Sequence, residues 1–191
     1  MTNEINKRRL EKILEDVNMQ YYFKEPLMLT STHKTPIYNN EENYVGSVTK
    51  SYKNKVHRYV SLFMNKLYFN YTFYDEEGNT ISTINNIMDN KKDFMKSRWI
   101  YTNSQQSYIV HNVTKVLTNF HLKIKSESSI IYEVKRDFGE HIIHIYMDNR
   151  EIGYVKYGIK LPREIDIYIE DEHLNLDLVC FIYFIYKMYG S

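Results

Sequence analysis

Two stretches of this chain set cations beside aromatic rings. Lys50, Lys53, Lys55, His57 and Arg58 are interleaved with Tyr52 and Tyr59, and Lys91, Lys92, Lys96 and Arg98 lie next to Phe94 and Trp99. Ammonium and guanidinium groups hold a phosphorylated headgroup by charge, and neighbouring rings settle at the interface between headgroup and hydrocarbon. The plainer reading of either stretch is solvated loop charge. Lys and Arg number 25 against 24 Asp and Glu, a formal net charge of +1, so an anionic partner would be met by a local patch and not by a global field. Nucleic acid would use the same groups, but no recognition motif accompanies them, and no nucleic-acid partner is expected.

The other reactive residue types are scattered. His141 and His144 are three apart in a segment patterned as a strand, where an odd spacing sends side chains to opposite faces and away from a shared metal. His33, His57, His111, His121 and His173 are read as exposed or internally satisfied. The single cysteine, Cys180, stands in the most apolar stretch; it excludes an internal disulfide, suits a reducing compartment and reads as a buried, inert thiol. There is no Gly-rich phosphate loop, no His-Glu-x-x-His, no Gly-x-Ser-x-Gly and no cysteine pair at metal spacing. The expectation is a non-enzyme with no cofactor and no metal.

What would position the basic stretches is sheet. Tyr, at 19 residues, and Phe, at 9, favour pleated, half-buried surfaces, while Gly and Pro are sparse at 6 and 3. From residue 21 to 169 short runs alternate apolar and polar side chains, as in Tyr68-Phe69-Asn70-Tyr71-Thr72-Phe73-Tyr74, Asn119-Phe120-His121-Leu122-Lys123-Ile124 and Ile165-Asp166-Ile167-Tyr168-Ile169. A hairpin unit recurs: an apolar residue and Tyr, a polar turn, then an apolar return. It is read at Ile37-Tyr38 to Val45, Phe73-Tyr74 to Ile81, Ile100-Tyr101 to Tyr108 and Ile145-Tyr146 to Ile152, with Asn-, Asp- and Gly-rich turns between. Many such strands expose two edges unless the sheet closes, so a barrel is the direct solution. Residues 50–58 and 91–98 read as connecting loops or short helical turns.

The two ends of the chain are helical in pattern. Ile5, Leu10, Ile13, Leu14 and Val17 make a short amphipathic N-terminal helix, within a segment too charged for a signal peptide. The last segment, 173–189, has almost no polar face, with acidic residues before it and Lys187 near its end, as the helix dipole favours. A helix apolar all round must be buried all round. Its uncharged run, 178–186, lies between Asp177 and Lys187 and falls short of the about 20 residues a membrane span requires, so no transmembrane segment is expected.

A meander of similar hairpins closed by one hydrophobic helix resembles the tubby C-terminal superfamily, which includes phospholipid scramblases and LURP-one-related proteins. The residues that carry the likeness are Thr35-Pro36-Ile37-Tyr38-Asn39-Asn40-Glu41-Glu42-Asn43-Tyr44-Val45-Gly46, Asp148-Asn149-Arg150-Glu151-Ile152-Gly153-Tyr154-Val155, and the passage from Tyr168-Ile169 through Leu176-Asp177 into the apolar helix. The resemblance implies a mainly β fold: a closed antiparallel barrel of about twelve strands around the C-terminal helix. It also implies a cytoplasmic protein, peripheral at a membrane, that binds anionic phospholipid or phosphoinositide headgroups. The family's pair of lipid-binding basic residues has no aligned counterpart here. The scramblases' calcium-linked acidic segment is matched only loosely by Glu164, Asp166, Glu170, Asp171, Glu172 and Asp177, which lack a ligand loop and read as a solvated turn and helix N-terminal charge.

The sequence thus divides into an N-terminal helix, 1–19, and a barrel domain, 20–191, with its central helix at about 173–189. Candidate ligand-binding residues are Lys53, Lys55, Arg58, Lys91, Lys92, Lys96 and Arg98. The alternative function is a protein-interaction domain without lipid affinity, using a strand edge, a tyrosine-rich face or the N-terminal helix.

Overall fold

A computed structural model describes residues 19–26, 31–52, 54, 58–59, 69–87, 97–114, 119–126 and 129–189. The N-terminal helix expected over 1–19 lies outside them, apart from Met19, which begins a strand.

Twelve strands follow one another in chain order: β1 (Met19–Lys24), β2 (Thr35–Asn39), β3 (Tyr44–Ser51), β4 (Asn70–Tyr74), β5 (Thr80–Ile87), β6 (Arg98–Asn103), β7 (Ser107–Asn112), β8 (Phe120–Lys125), β9 (Ile130–Arg136), β10 (Ile142–Met147), β11 (Arg150–Tyr157) and β12 (Glu164–Ile169). Each pairs antiparallel with its neighbours in sequence, and β1 closes the ring against β12, from Met19 opposite Ile169 to Lys24 opposite Glu164. The four hairpins read from sequence are β2–β3, β4–β5, β6–β7 and β10–β11. Closure leaves no free strand edge, which removes the edge as an interaction surface.

Period-two patterning decides which side chains turn inward. On β8, Phe120, Leu122 and Ile124 are buried, and on β12 so are Ile165, Ile167 and Ile169. The space they enclose is filled by α1 (Leu176–Tyr189), whose residues from Asp177 to Tyr186 are all buried. The helix begins three residues later than its pattern suggests, because Leu174 N–H bonds to the Asp171 carbonyl at 3.0 Å and makes the approach a turn. Rings bind helix to wall: Phe184 stacks on Tyr71 with centroids 4.8 Å apart, and Phe120 meets Tyr186 edge-on at 5.2 Å.

Two glycines let the wall pass close to its contents. A Cβ on Gly46 would lie 2.5 Å from the Tyr74 carbonyl oxygen, and one on Gly153 would lie 2.7 Å from the Tyr168 oxygen and 2.9 Å from Leu174 Cδ2. Both sit beside β-bulges, where the strands bend toward closure. Gly153→Ala should therefore destabilise the fold by about 1–3 kcal/mol through overpacking, read as a lowered urea midpoint; an unchanged midpoint would show that the wall is free to move away from Leu174.

Candidate functional site

Strict up-and-down order separates the connections into two rims. One rim holds the hairpin turns 40–43, 75–79, 104–106, 126–129 and 148–149 and the approach to α1, 170–175. Its described residues include Glu41, Glu42, Asp75, Glu76, Glu77, Asp148, Glu170, Asp171 and Glu172 and no Lys or Arg. The opposite rim receives the β1–β2, β3–β4, β5–β6, β7–β8, β9–β10 and β11–β12 connections and the C-terminus of α1. A chain with a net charge of +1 is thus polarised along the barrel axis, and both basic-aromatic stretches of the sequence join strands at that second rim.

A surface recess of about 390 Å³ opens there, lined by Thr32, Thr49, Lys50, Ser51, Tyr52, Asn54 and Arg58. Strand parity turns Thr49 and Ser51 outward, and Arg58 N–H donates to the Asn54 carbonyl at 3.3 Å, both residues lining the recess beside the end of β3. Thr49 Oγ1 and Tyr52 Oη are buried and have no hydrogen-bond partner among the described residues. Burial pushes the Tyr52 phenol up, and Arg58 opposes the shift. A guanidinium with hydroxyl and amide donors around a recess is suited to an anion with several oxygens.

Lys50 departs from the sequence expectation. It belongs to β3 and not to a loop, on the inward parity of Val48, and is buried. Its Nζ lies 5.1 Å from the centroid of Phe69, 5.2 Å from Tyr52 and 5.9 Å from Tyr71, and desolvation lowers its pKa to about 8. Beside it Glu25, also buried, accepts from Lys187 Nζ at 2.8 Å and Tyr183 Oη at 3.1 Å, with Arg163 Nε at 3.9 Å. The cavity between Glu25, His33, Lys50 and Lys187 has a volume of about 20 Å³, room for one water and no larger guest. These charges close the barrel end around the helix C-terminus.

The remaining predicted residues divide plainly. Arg58 lines the recess and is exposed, with Tyr59 beside it 65% exposed. Arg98 is half-buried on β6 opposite His111 and, with Lys125, adds to the burial that lowers the His111 pKa. Lys53, Lys55, Lys91, Lys92 and Lys96 lie outside the described residues. Sequence reasoning missed Glu25, Thr32, Thr49 and Ser51; for the two β3 residues the signal was their alternation with Val48 and Lys50.

The acidic residues near α1 disperse. Glu164 pairs with Lys24 at 3.5 Å, Asp166 stands opposite Lys156, and Asp177 accepts from Tyr101 Oη at 2.8 Å inside the barrel. Among the described residues no cluster of three His, Cys, Asp or Glu side chains is placed to hold a metal. Cys180 is buried, and desolvation, with Asp177 adding, raises its thiol well above the usual range. Among the described residues no helix is long and apolar enough to cross a membrane.

A family model described as the Tubby C-terminal like domain matches residues 21–190. Among solved structures, a protein from Arabidopsis thaliana is similar with a TM-score of 0.54 at 12% identity, over 89% of this chain and 90% of that one. No curated protein matches.

Because the pKa of Lys50 is lowered on folding, the unfolded chain binds more protons between about pH 8 and the ordinary lysine value, and stability contributed at this site rises with pH across that window. Lys50→Met should accordingly be more stable than the wild type near pH 7, with the difference narrowing toward pH 10 in urea denaturation series. A difference that stays constant with pH would mean the ammonium is not penalised by its burial.

Proposed function

The chain belongs to the Tubby C-terminal like domain family, and from that premise we propose that it is a non-enzymatic domain that recognises anionic phospholipid headgroups at the cytoplasmic face of a membrane. The single observation behind this reading is the recess beside β3. Arg58 and Asn54, the hydroxyls of Thr32 and Ser51, and the unpartnered Thr49 Oγ1 and Tyr52 Oη surround a volume of about 390 Å³ on the rim where the basic connections meet the barrel. A phosphorylated headgroup would supply acceptor oxygens to Thr49 Oγ1 and Tyr52 Oη, which have no partner among the described residues, and a counter-charge to Arg58, and Lys53 and Lys55, adjacent in sequence, add charge for the membrane surface. Lys91, Lys92 and Lys96, between β5 and β6 in the sequence, with Arg98 at the start of β6, are the second candidate group. Lys50 is not assigned to the ligand, because its ammonium lies among rings inside the barrel.

A tyrosine-rich outer face supports the second reading, a protein-interaction domain without lipid affinity. Tyr154 stacks on Tyr168 at 4.5 Å, and Tyr22, Tyr38 and Tyr44 follow across β1, β2 and β3 at 5.6 and 6.2 Å. Half-buried tyrosines of this kind offer rigid contact area at small entropic cost.

Sedimentation with vesicles separates the two. The full chain should pellet with phosphatidylserine- or phosphoinositide-containing vesicles and not with neutral ones, less so as salt rises. Each of Arg58→Ala, Lys53→Ala and Lys55→Ala should cost about 1 kcal/mol, about fivefold in affinity. Equal loss from Lys91, Lys92 and Lys96 substitutions instead would move the site to the second cluster. Failure to bind any vesicle would leave the tyrosine face as the functional surface.

A further inference from the structure

The same rim carries exposed apolar side chains that packing does not explain. Ile159 is 73% exposed, Leu161 67% and Phe138 75%. These three lie on two connections, β9–β10 and β11–β12, which are neighbours: Tyr157 N–H donates to the His141 carbonyl at 3.0 Å, and Tyr157 Oη donates to the Glu140 carbonyl at 3.0 Å. The described turns of the acidic rim contain no large exposed apolar residue. Lys160, between Ile159 and Leu161, is exposed and makes no ion pair among the described residues, whereas Arg163 at the base of the same turn is drawn inward toward Glu25 and the Tyr157 ring. The turn therefore presents aliphatic, cation, aliphatic in succession, with its other cation fastened to the barrel.

Side chains projecting from two turns do not supply the roughly 800 Å² per partner that a stable protein interface buries. A bilayer asks for no flat matching surface; it accepts single apolar side chains at the depth of the acyl boundary while a neighbouring cation meets lipid phosphate. We infer that the β11–β12 turn is a membrane-insertion element, in which Ile159 and Leu161 enter the hydrocarbon boundary of an anionic bilayer, Lys160 contacts phosphate, and Phe138 on the neighbouring β9–β10 turn rests at headgroup level. This rests on the headgroup reading above and adds an orientation: the barrel axis stands toward the membrane, basic rim down and acidic rim away, so that like charge on the far rim is kept from the anionic surface.

Cys180, the only cysteine, is fully buried, so an introduced cysteine can be labelled selectively. Leu161→Cys and Glu77→Cys, each carrying an environment-sensitive fluorophore, are mixed with phosphatidylcholine vesicles with and without phosphatidylserine, containing acyl-chain spin-label quenchers. The label at 161 should shift to the blue and be quenched only on anionic vesicles, and the label at 77 should do neither. Ile159→Ser with Leu161→Ser should weaken vesicle binding about tenfold or more and abolish the fraction that survives high salt, with no change in melting temperature because both residues are exposed. Normal binding by the double variant with an unquenched label at 161 would overturn the insertion element and leave headgroup recognition standing. Absence of wild-type binding to every vesicle would overturn both.

Discussion

Everything in this fold depends on hiding a helix that has no polar face. Phe181, Ile182, Tyr183 and Ile185 are at 0% exposure on α1, and no single sheet could cover them, since a sheet packs against one side of a helix only. A closed wall covers all sides, and twelve strands make a ring wide enough for a helix with its side chains. The hydrophobic demand of one segment at the end of the chain therefore sets the closure of all that precedes it. The polar atoms that enter the barrel with the helix are answered at its ends, Asp177 by Tyr101 at one and Lys187 and Tyr183 by Glu25 at the other.

That solution has a consequence for function. Among the described residues the interior of this up-and-down barrel is occupied by α1, and the cavity beside Glu25 and Lys50 at the barrel end, about 20 Å³, has room for a single water. Recognition is left to the outside and the rims. Short hairpins confine one rim to tight, polar, acidic turns, while the longer connections give the other rim its variety of chemistry, as connecting segments on rigid scaffolds generally do. The recess beside β3 and the exposed β11–β12 turn both belong to that richer rim. Their combination of unpartnered donors, a guanidinium and projecting aliphatic groups is coherent for a surface that meets phosphate first and hydrocarbon behind it.

Lys50 and Arg58 illustrate how much of the site was legible. They stand in one basic stretch and look equivalent as residue types, yet one is a cation inside a box of rings and the other lies at the solvent edge. The parity of β3 distinguishes them, but using it requires knowing that the strand extends to Ser51, and the density of charge after Thr49 argued for a loop. Glu25 was illegible for a different reason. Its partners are far along the chain, and a lone carboxylate before a proline carries no local mark of burial. Arg98 was read as loop charge although the alternation of Trp99 and Tyr101 continues through it.

The amino-acid sequence by itself determined the alternating strand pattern, four of the hairpins, the buried helix and an antiparallel sheet closed against its own edges, because each follows from local periodicity or from the cost of leaving an apolar surface wet. Only the tertiary structure decided which charges share a rim, that Lys50 and Glu25 are interior, and that Ile159, Leu161 and Phe138 project together. Those facts depend on closure and on the count of strands around the ring, which bring together segments as far apart as Glu25 and Lys187, and a two-residue period carries no record of what lies across the barrel.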